Sequence, residues 1–309
     1  LHDAASAARW LLDPTGVWRA MRWAARPSRH VVWAGMLAAL SLTLLALAPR
    51  IRGALRETRQ PIERASTDSF SHTVRAALYT ATLAAPLPLL VWTLGAWLGA
   101  PRDQSELGES VGAALRAMAI ALGVFTLVVS IMLPRGLAES HFRQPARAVR
   151  HVRRTMLAVL LAGLPAVLLV NAMENQPQQE WNASLGRLAL VWGLLVLSGG
   201  LWALLRLKGG FMDEFMKRNR GGLIERTHRA WFPILVVVPI VLAGLALAGY
   251  QFTALRLERR FAATLGLTLT LAIANAMLLR WLYVERRRLA LRQAMERMPT
   301  ESSEPRENI

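Results

Sequence analysis

The side chains that could bind a metal or move a proton are six histidines and twenty Asp and Glu residues, and their spacing supports neither chemistry. His141 and His151 stand ten residues apart with no carboxylate arrangement around them, which suits solvated histidines better than metal ligands. The acids lie almost wholly in polar connectors. The chain has no cysteine, so disulfides, thiolate metal sites, iron–sulfur clusters and cysteine nucleophiles are all removed. No phosphate-binding glycine loop, HExxH pair or GxSxG elbow is present. The sequence therefore reads as a non-enzyme with no cofactor and no metal site. What remains is polar chemistry inside apolar runs: Arg116, Asn171 and Asn275, with Thr264, Thr268 and Thr270 beside the last. An arginine in hydrocarbon either snorkels to the headgroups or pairs, and Arg116 is close enough to a polar loop to snorkel. Asn275 reads as a buried residue whose ordinary role is a bond to an adjacent helix, with an ion pathway as the sharper alternative.

The elements that must hold these groups are membrane spans. Runs of about twenty apolar residues match a hydrocarbon core of roughly 30 Å at 1.5 Å per residue. They recur at about 31–48, 74–99, 111–133, 156–173, 185–205, 231–250 and 261–284. The fold class expected is all-α: a polytopic membrane protein of about seven transmembrane helices in hairpins, with a transmembrane domain over 31–298. Residues 1–30 interleave Trp10, Trp18 and Trp23 with Arg9, Arg19 and Arg22, and read as an interfacial amphipathic segment broken near Pro14 and Gly16. Residues 299–309 form a polar tail or linker. Both ends read as cuts through a longer protein.

Charge and helix breakers add detail. A net charge of +17 could indicate nucleic acid, but the arginines flank apolar spans, so anionic lipid headgroups are the expected partner and nucleic acid is not. Candidate headgroup anchors are Arg50, Arg52, Arg56, Arg153, Arg154, Trp231, Arg280, Trp281, Arg286, Arg287 and Arg288. The flanks after spans one, three, five and seven are densely basic and those after two and four nearly devoid of basic residues, which places the odd-numbered ends in the cytoplasm and the N-terminal side outside. The basic N-terminal segment and Arg256, Arg259 and Arg260 run against that assignment. Pro86, Pro88, Pro165 and Pro239 are candidate kinks, and Gly199 with Gly200 permits a close helix contact or a flexible point. Between spans six and seven the sequence suggests a short amphipathic turn, and KGGFMDEFMKRNRGG suggests a short helix in an exposed loop.

Several motifs occur in a telling order. Trp231, Phe232 and Pro233 open a proline-containing span that ends Gly249, Tyr250, Thr253, Ala254, Leu255; a second span follows, and then Leu279, Arg280, Trp281, Leu282, Arg286, Arg287, Arg288, Leu289, Ala290. With STDSFSHTVRAALYTATLAAPLPLL and GLAESHFRQP upstream, nearly the whole chain resembles the inner-membrane domain of large MscK-like mechanosensitive channels of the MscS superfamily. The resemblance implies a tension-gated, weakly selective channel of the bacterial inner membrane that releases solutes on osmotic downshock. It implies a homo-oligomer, a heptamer in the family's pattern, with the pore helix and a β-rich vestibule expected beyond this stretch, in which neither is recognised. The matched motifs would then sit in peripheral, lipid-contacting helices.

Two other classes stay open at this level. A secondary transporter or lipid-handling protein would need a polar cavity at mid-depth around Asn275, Thr268 and Arg116, inside a closed bundle. A membrane scaffold would dock partners through its basic loops. The channel domain requires a row of hairpins with lipid on both sides.

Overall fold

The computed structural model describes residues 2–24, 29–58, 70–99, 106–142, 144–176, 179–206 and 223–296. Among them there is no strand, and the chain is an all-α polytopic membrane protein. Six helices are long and apolar enough to cross a membrane, and a bent pair makes a seventh. In chain order the helices are α1 (His2–Leu11), α2 (Pro14–Ala24), α3 (Arg29–Glu57), α4 (Phe70–Ala84), α5 (Pro86–Leu98), α6 (Glu106–Ile131), α7 (Ala146–Glu174), α8 (Arg187–Leu205), α9 (Leu223–Leu247) and α10 (Gln251–Glu296). π-helical turns at Leu137–His141 and Asn182–Gly186 lead into α7 and α8.

Helices outlast the apolar runs that announce them. α3 continues through Pro49 to Glu57, α7 begins at Ala146, and α10 runs for 46 residues, about 69 Å at 1.5 Å per residue. Backbone i→i−4 bonding needs no hydrocarbon, and Arg, Ala and Leu are good helix formers on either side of the headgroups. For the same reason the stretch around Arg256, Arg259 and Arg260 is the first turns of α10 and not an amphipathic turn. The reversal is confined to Ala248–Tyr250, where Gly249 takes φ +101°, a conformation open to glycine.

The prolines divide. Ahead of Pro86 the chain bends by 41° between α4 and α5, so the second span is two helices. Pro88 lies in the first turn of α5, while Pro165 and Pro239 lie inside continuous helices. The polar stretch ENQPQQEWNAS, 174–184, reads as a loop, but Gln179–Trp181 and Asn182–Gly186 are helical; the N-terminal segment breaks at Leu12–Asp13 as its proline requires. In the turn-like STDSFSH, which reads as a cap for the next helix, residues 66–69 lie outside the described residues, as do the short helix sought in KGGFMDEFMKRNRGG and the tail 299–309, while Phe70 already begins α4.

Packing is sequential. α3 lies on α4 and α5, α5 on α6, and then α6, α7, α8, α9 and α10 follow side by side. The row curls enough for Ile273 of α10 to touch the cluster of Leu55, Ala76, Ile131, Leu137 and Val149 formed by the helices at the other end. Close approach is made by glycine. A Cβ on Gly112 of α6 would stand 2.5 Å from the Cα of Gly99, and one on Gly95 of α5 would stand 2.8 Å from the Gly112 carbonyl oxygen. Gly95 and Gly99 are four apart, so α5 presents one small face on which α6 rests its backbone.

Candidate functional site

One end of the row is closed by α1 and α2. Asp13 caps α2: its carboxylate oxygens accept from the Thr15 and Gly16 amides, each at 3.1 Å, and from the Thr15 hydroxyl. These bonds, the Thr15 hydroxyl first, hold the Asp13 carboxyl below its ordinary range. Trp10 packs on Trp181 with ring centroids 5.4 Å apart, and Ala7 is buried with Ala114, Ala172 and Met173. The two helices are thus pinned to the ends of α6, α7 and α8. Beneath them lies an apolar cleft of about 170 Å³ lined by Leu11, Met21, Leu98, Leu107 and Val111. Nearby, Gln251 donates to Asn182 at 2.8 Å, Ser110 donates to the Asn175 carbonyl at 2.9 Å, and Arg259 pairs with Glu174. Arg116 reaches this end too, with Nη1 against Gly99 at the C-terminus of α5, where a cation is favoured by the helix dipole.

The opposite end is organised by histidines. His141, from the π-turn, sits between α3 and α4, with Nδ1 3.2 Å from the Thr73 hydroxyl and Nε2 3.5 Å from that of Thr58. The Thr58 hydroxyl already donates to the Leu55 carbonyl at 2.7 Å, so towards His141 it accepts from Nε2–H and leaves Nδ1 to accept from Thr73. His151 of α7 donates to the Ala203 carbonyl at 2.8 Å, and His228 of α9 stands 3.3 Å from the Leu205 carbonyl. Both carbonyls belong to the last turn of α8, whose acceptors have no partner within the helix. The Arg206 guanidinium lies 5.0 Å from the Trp202 ring centroid. His141 and His151, expected to be solvated, are not: His141 is 2% exposed and His151 is half-buried, each because its ring is turned into a helix seam to meet a hydroxyl or a carbonyl. The available signal was their recurrence at the basic ends of spans, where a capping donor is useful.

The remaining site residues fall on outward surfaces. Arg50, Arg52, Arg56, Arg154 and Arg286 are exposed, and Trp281 is 44% exposed. Arg153, Arg287 and Arg288 are half-buried, Arg288 beside Glu285 at 3.3 Å. Trp231 packs edge-on to His228. Arg280 departs from the expectation of a surface anchor: it is 6% exposed, with its guanidinium 6.0 Å from the Tyr283 ring. Gly199 is open, whereas Gly200 lies on Val159 of α7. Asn171 donates to the Val167 carbonyl of its own helix. Asn275, expected to be buried, is exposed on α10. Arg116 is therefore at the C-terminal end of α5, beside α1 and α2, while Asn275 and Thr268 face away from the row. The three do not converge on a mid-membrane cavity. Among the described residues no cluster of acids and histidines could hold a metal ion.

A curled row of helices with little burial in its spans, and with no polar centre among the described residues, is a polytopic membrane domain. Residues 31–308 match the family model for the mechanosensitive ion channel inner membrane domain 1, and the chain belongs to that family, within the MscS superfamily. It is 25% identical over 244 residues to the miniconductance mechanosensitive channel MscM of Escherichia coli (strain K12), covering 79% of this chain and 22% of that one. To the mechanosensitive channel MscK of the same strain it is 28% identical over 271 residues, covering 86% of this chain and 23% of the relative. The chain thus spans less than a quarter of the length of these relatives. No solved structure shows significant similarity to it.

Proposed function

We propose that this chain is the lipid-facing, tension-sensing part of a mechanosensitive channel whose pore is formed by sequence outside this stretch. The observation that carries the reading is the row itself, in a chain of this family: spans packed neighbour to neighbour, exposing Trp33, Met36, Leu161, Trp192 and Leu267 to the hydrocarbon. Tension does work through a change of in-plane area, so a shift in helix tilt that differs between closed and open states is sufficient, and no catalytic group is required. The bend ahead of Pro86 is the lever best placed for such a shift, because the α5–α6 seam beside it is fixed by glycine contacts. Exposed Arg50, Arg52, Arg56, Arg154 and Arg286 hold one end of the row at anionic headgroups, which the basic flanks assign to the cytoplasmic face of the inner membrane. By family resemblance the channel is a homo-oligomer, a heptamer in the superfamily's pattern.

Patch recording under suction tests the reading. The full-length protein should carry tension-gated current, and the double variant Pro86→Ala, Pro88→Ala, which removes the bend, should shift its threshold relative to a second channel in the same patch. Full-length protein that carries no current, or a channel deleted for residues 31–296 that opens at unchanged tension, would sink it. The transporter alternative loses support because Arg116, Thr268 and Asn275 do not share a cavity.

A further inference from the structure

Along its membrane stretch α10 is held by little. Among the described side chains its buried residues are Gln251, Ala254 and Leu255 at its root, then Arg280 and Val284, with none from Phe261 to Leu279. The root is seated in two ways. Ala254 and Leu255 pack with Val170 of α7 and with Leu190, Leu242 and Ala246 of α8 and α9. Beside them Gln251 donates to the Asn182 carbonyl at 2.9 Å and to its side-chain oxygen at 2.8 Å, and Arg259 pairs with Glu174, the last residue of α7.

One carboxyl at this root has no such role. Glu258 is half-buried and makes no hydrogen bond or ion pair among the described residues. The charges that act on it are those of Arg259 and Glu174, so two carboxylates share one guanidinium. The other charged groups of the elements packed here are Glu180, Arg187, Arg256 and Arg260; Glu180, Arg256 and Arg260 are exposed and Arg187 is half-buried. Taking a carboxylate out of water disfavours its charged form, and a like charge nearby adds to the effect. Burial accordingly pushes the Glu258 carboxyl up from its ordinary 4.5, with Arg259 opposing and Glu174 adding. Glu258 precedes the uncharged stretch that starts at Phe261, so protons reach it from solution.

We propose that Glu258, Glu174 and Arg259 form a proton-operated clasp, which fastens the root of α10 to the end of α7 more tightly as the solution on that side acidifies. With both acids ionised the site carries an excess negative charge that is partly desolvated, and separating the helices relieves it. A proton on Glu258 removes the excess and leaves Arg259 paired with Glu174. Separation returns Glu258 to water and to its ordinary value, so the docked root holds the proton more tightly than the separated one. The gain in docking is complete below the ordinary value and is lost as pH rises through the raised one.

Hydrogen exchange of the full-length protein in lipid nanodiscs tests the clasp, with each rate divided by the intrinsic rate at the same pH. Protection of the amides of residues 255–260 should rise by about threefold or more between about pH 8 and about pH 5. Glu258→Gln keeps the shape and removes the titration, so it should show the acid level of protection at both pH values. Glu180→Gln, at an exposed acid nearby, should leave the rise intact. A flat profile in the parent, a rise that survives Glu258→Gln, or one that Glu180→Gln abolishes would overturn the clasp. Tension-gated current is recorded separately and bears only on the channel reading, so the two can fail independently.

Discussion

Gly199 and Gly200 are neighbours on α8 with opposite surroundings. A Cβ on Gly199 would meet nothing within 4 Å, whereas one on Gly200 would lie 2.4 Å from Cγ2 of Val159, a stiff β-branched side chain on α7. Gly200→Ala should therefore overpack the α7–α8 seam and lower stability by about 1–3 kcal/mol. Gly199→Ala should be neutral or stabilising by up to about 1 kcal/mol, through helix propensity. Thermal unfolding in detergent separates the two, and equal effects would contradict the seam. The hinge reading of the pair then narrows: Gly200 is a contact and only Gly199 is free to act as a flexible point. At Arg280 and Asn275 the burial is the reverse of what their types suggest. The arginine is inside because α10 curls back across the row, and the same curl turns the asparagine out.

At the scale of elements, α2 depends on a cap that pH can remove. Asp13 has a folded carboxyl value held below the ordinary 3.8, chiefly by the Thr15 hydroxyl, so its stabilisation is complete above the ordinary value and is lost as pH falls through the lowered one. Asp13→Ala should speed amide exchange across Thr15 to Arg19 at neutral pH, and the difference from the parent should close in strong acid. A difference that persists there would mean that the carboxylate is not the cap. The α4–α5 break was legible because proline both removes a donor and clashes with the turn before it. Pro165 and Pro239 carry the same local chemistry, yet their helices stay continuous, since neighbours on both sides support the chain through each proline.

At the scale of the whole molecule, the proposed orientation places Asn175 outside and Arg147 in the cytoplasm; both are exposed. In a background without other cysteines, Asn175→Cys should react with an impermeant maleimide in cells with a permeabilised outer membrane, and Arg147→Cys only after lysis. The inverse pattern would reverse the assignment made from the arginine flanks. The shape of the row bears on function more than any single residue does. Neighbour-to-neighbour packing leaves the spans with large exposed apolar surfaces and no polar site between them among the described residues, which is what the proposed sensor needs and a transport bundle built round a central site is not.

Taken alone, the sequence determined the number of spans, the break at Pro86 and the family, because each is written in local quantities: run length, proline position and ordered motifs. Tertiary structure decided the rest. Which glycine is a contact, that two histidines cap α8, that Arg116 reaches the C-terminus of α5, and that α10 exposes its asparagine all depend on how far each helix rotates about its own axis. In a membrane both faces of a helix are apolar, so hydropathy carries little record of that rotation, and only packing against the neighbours sets it.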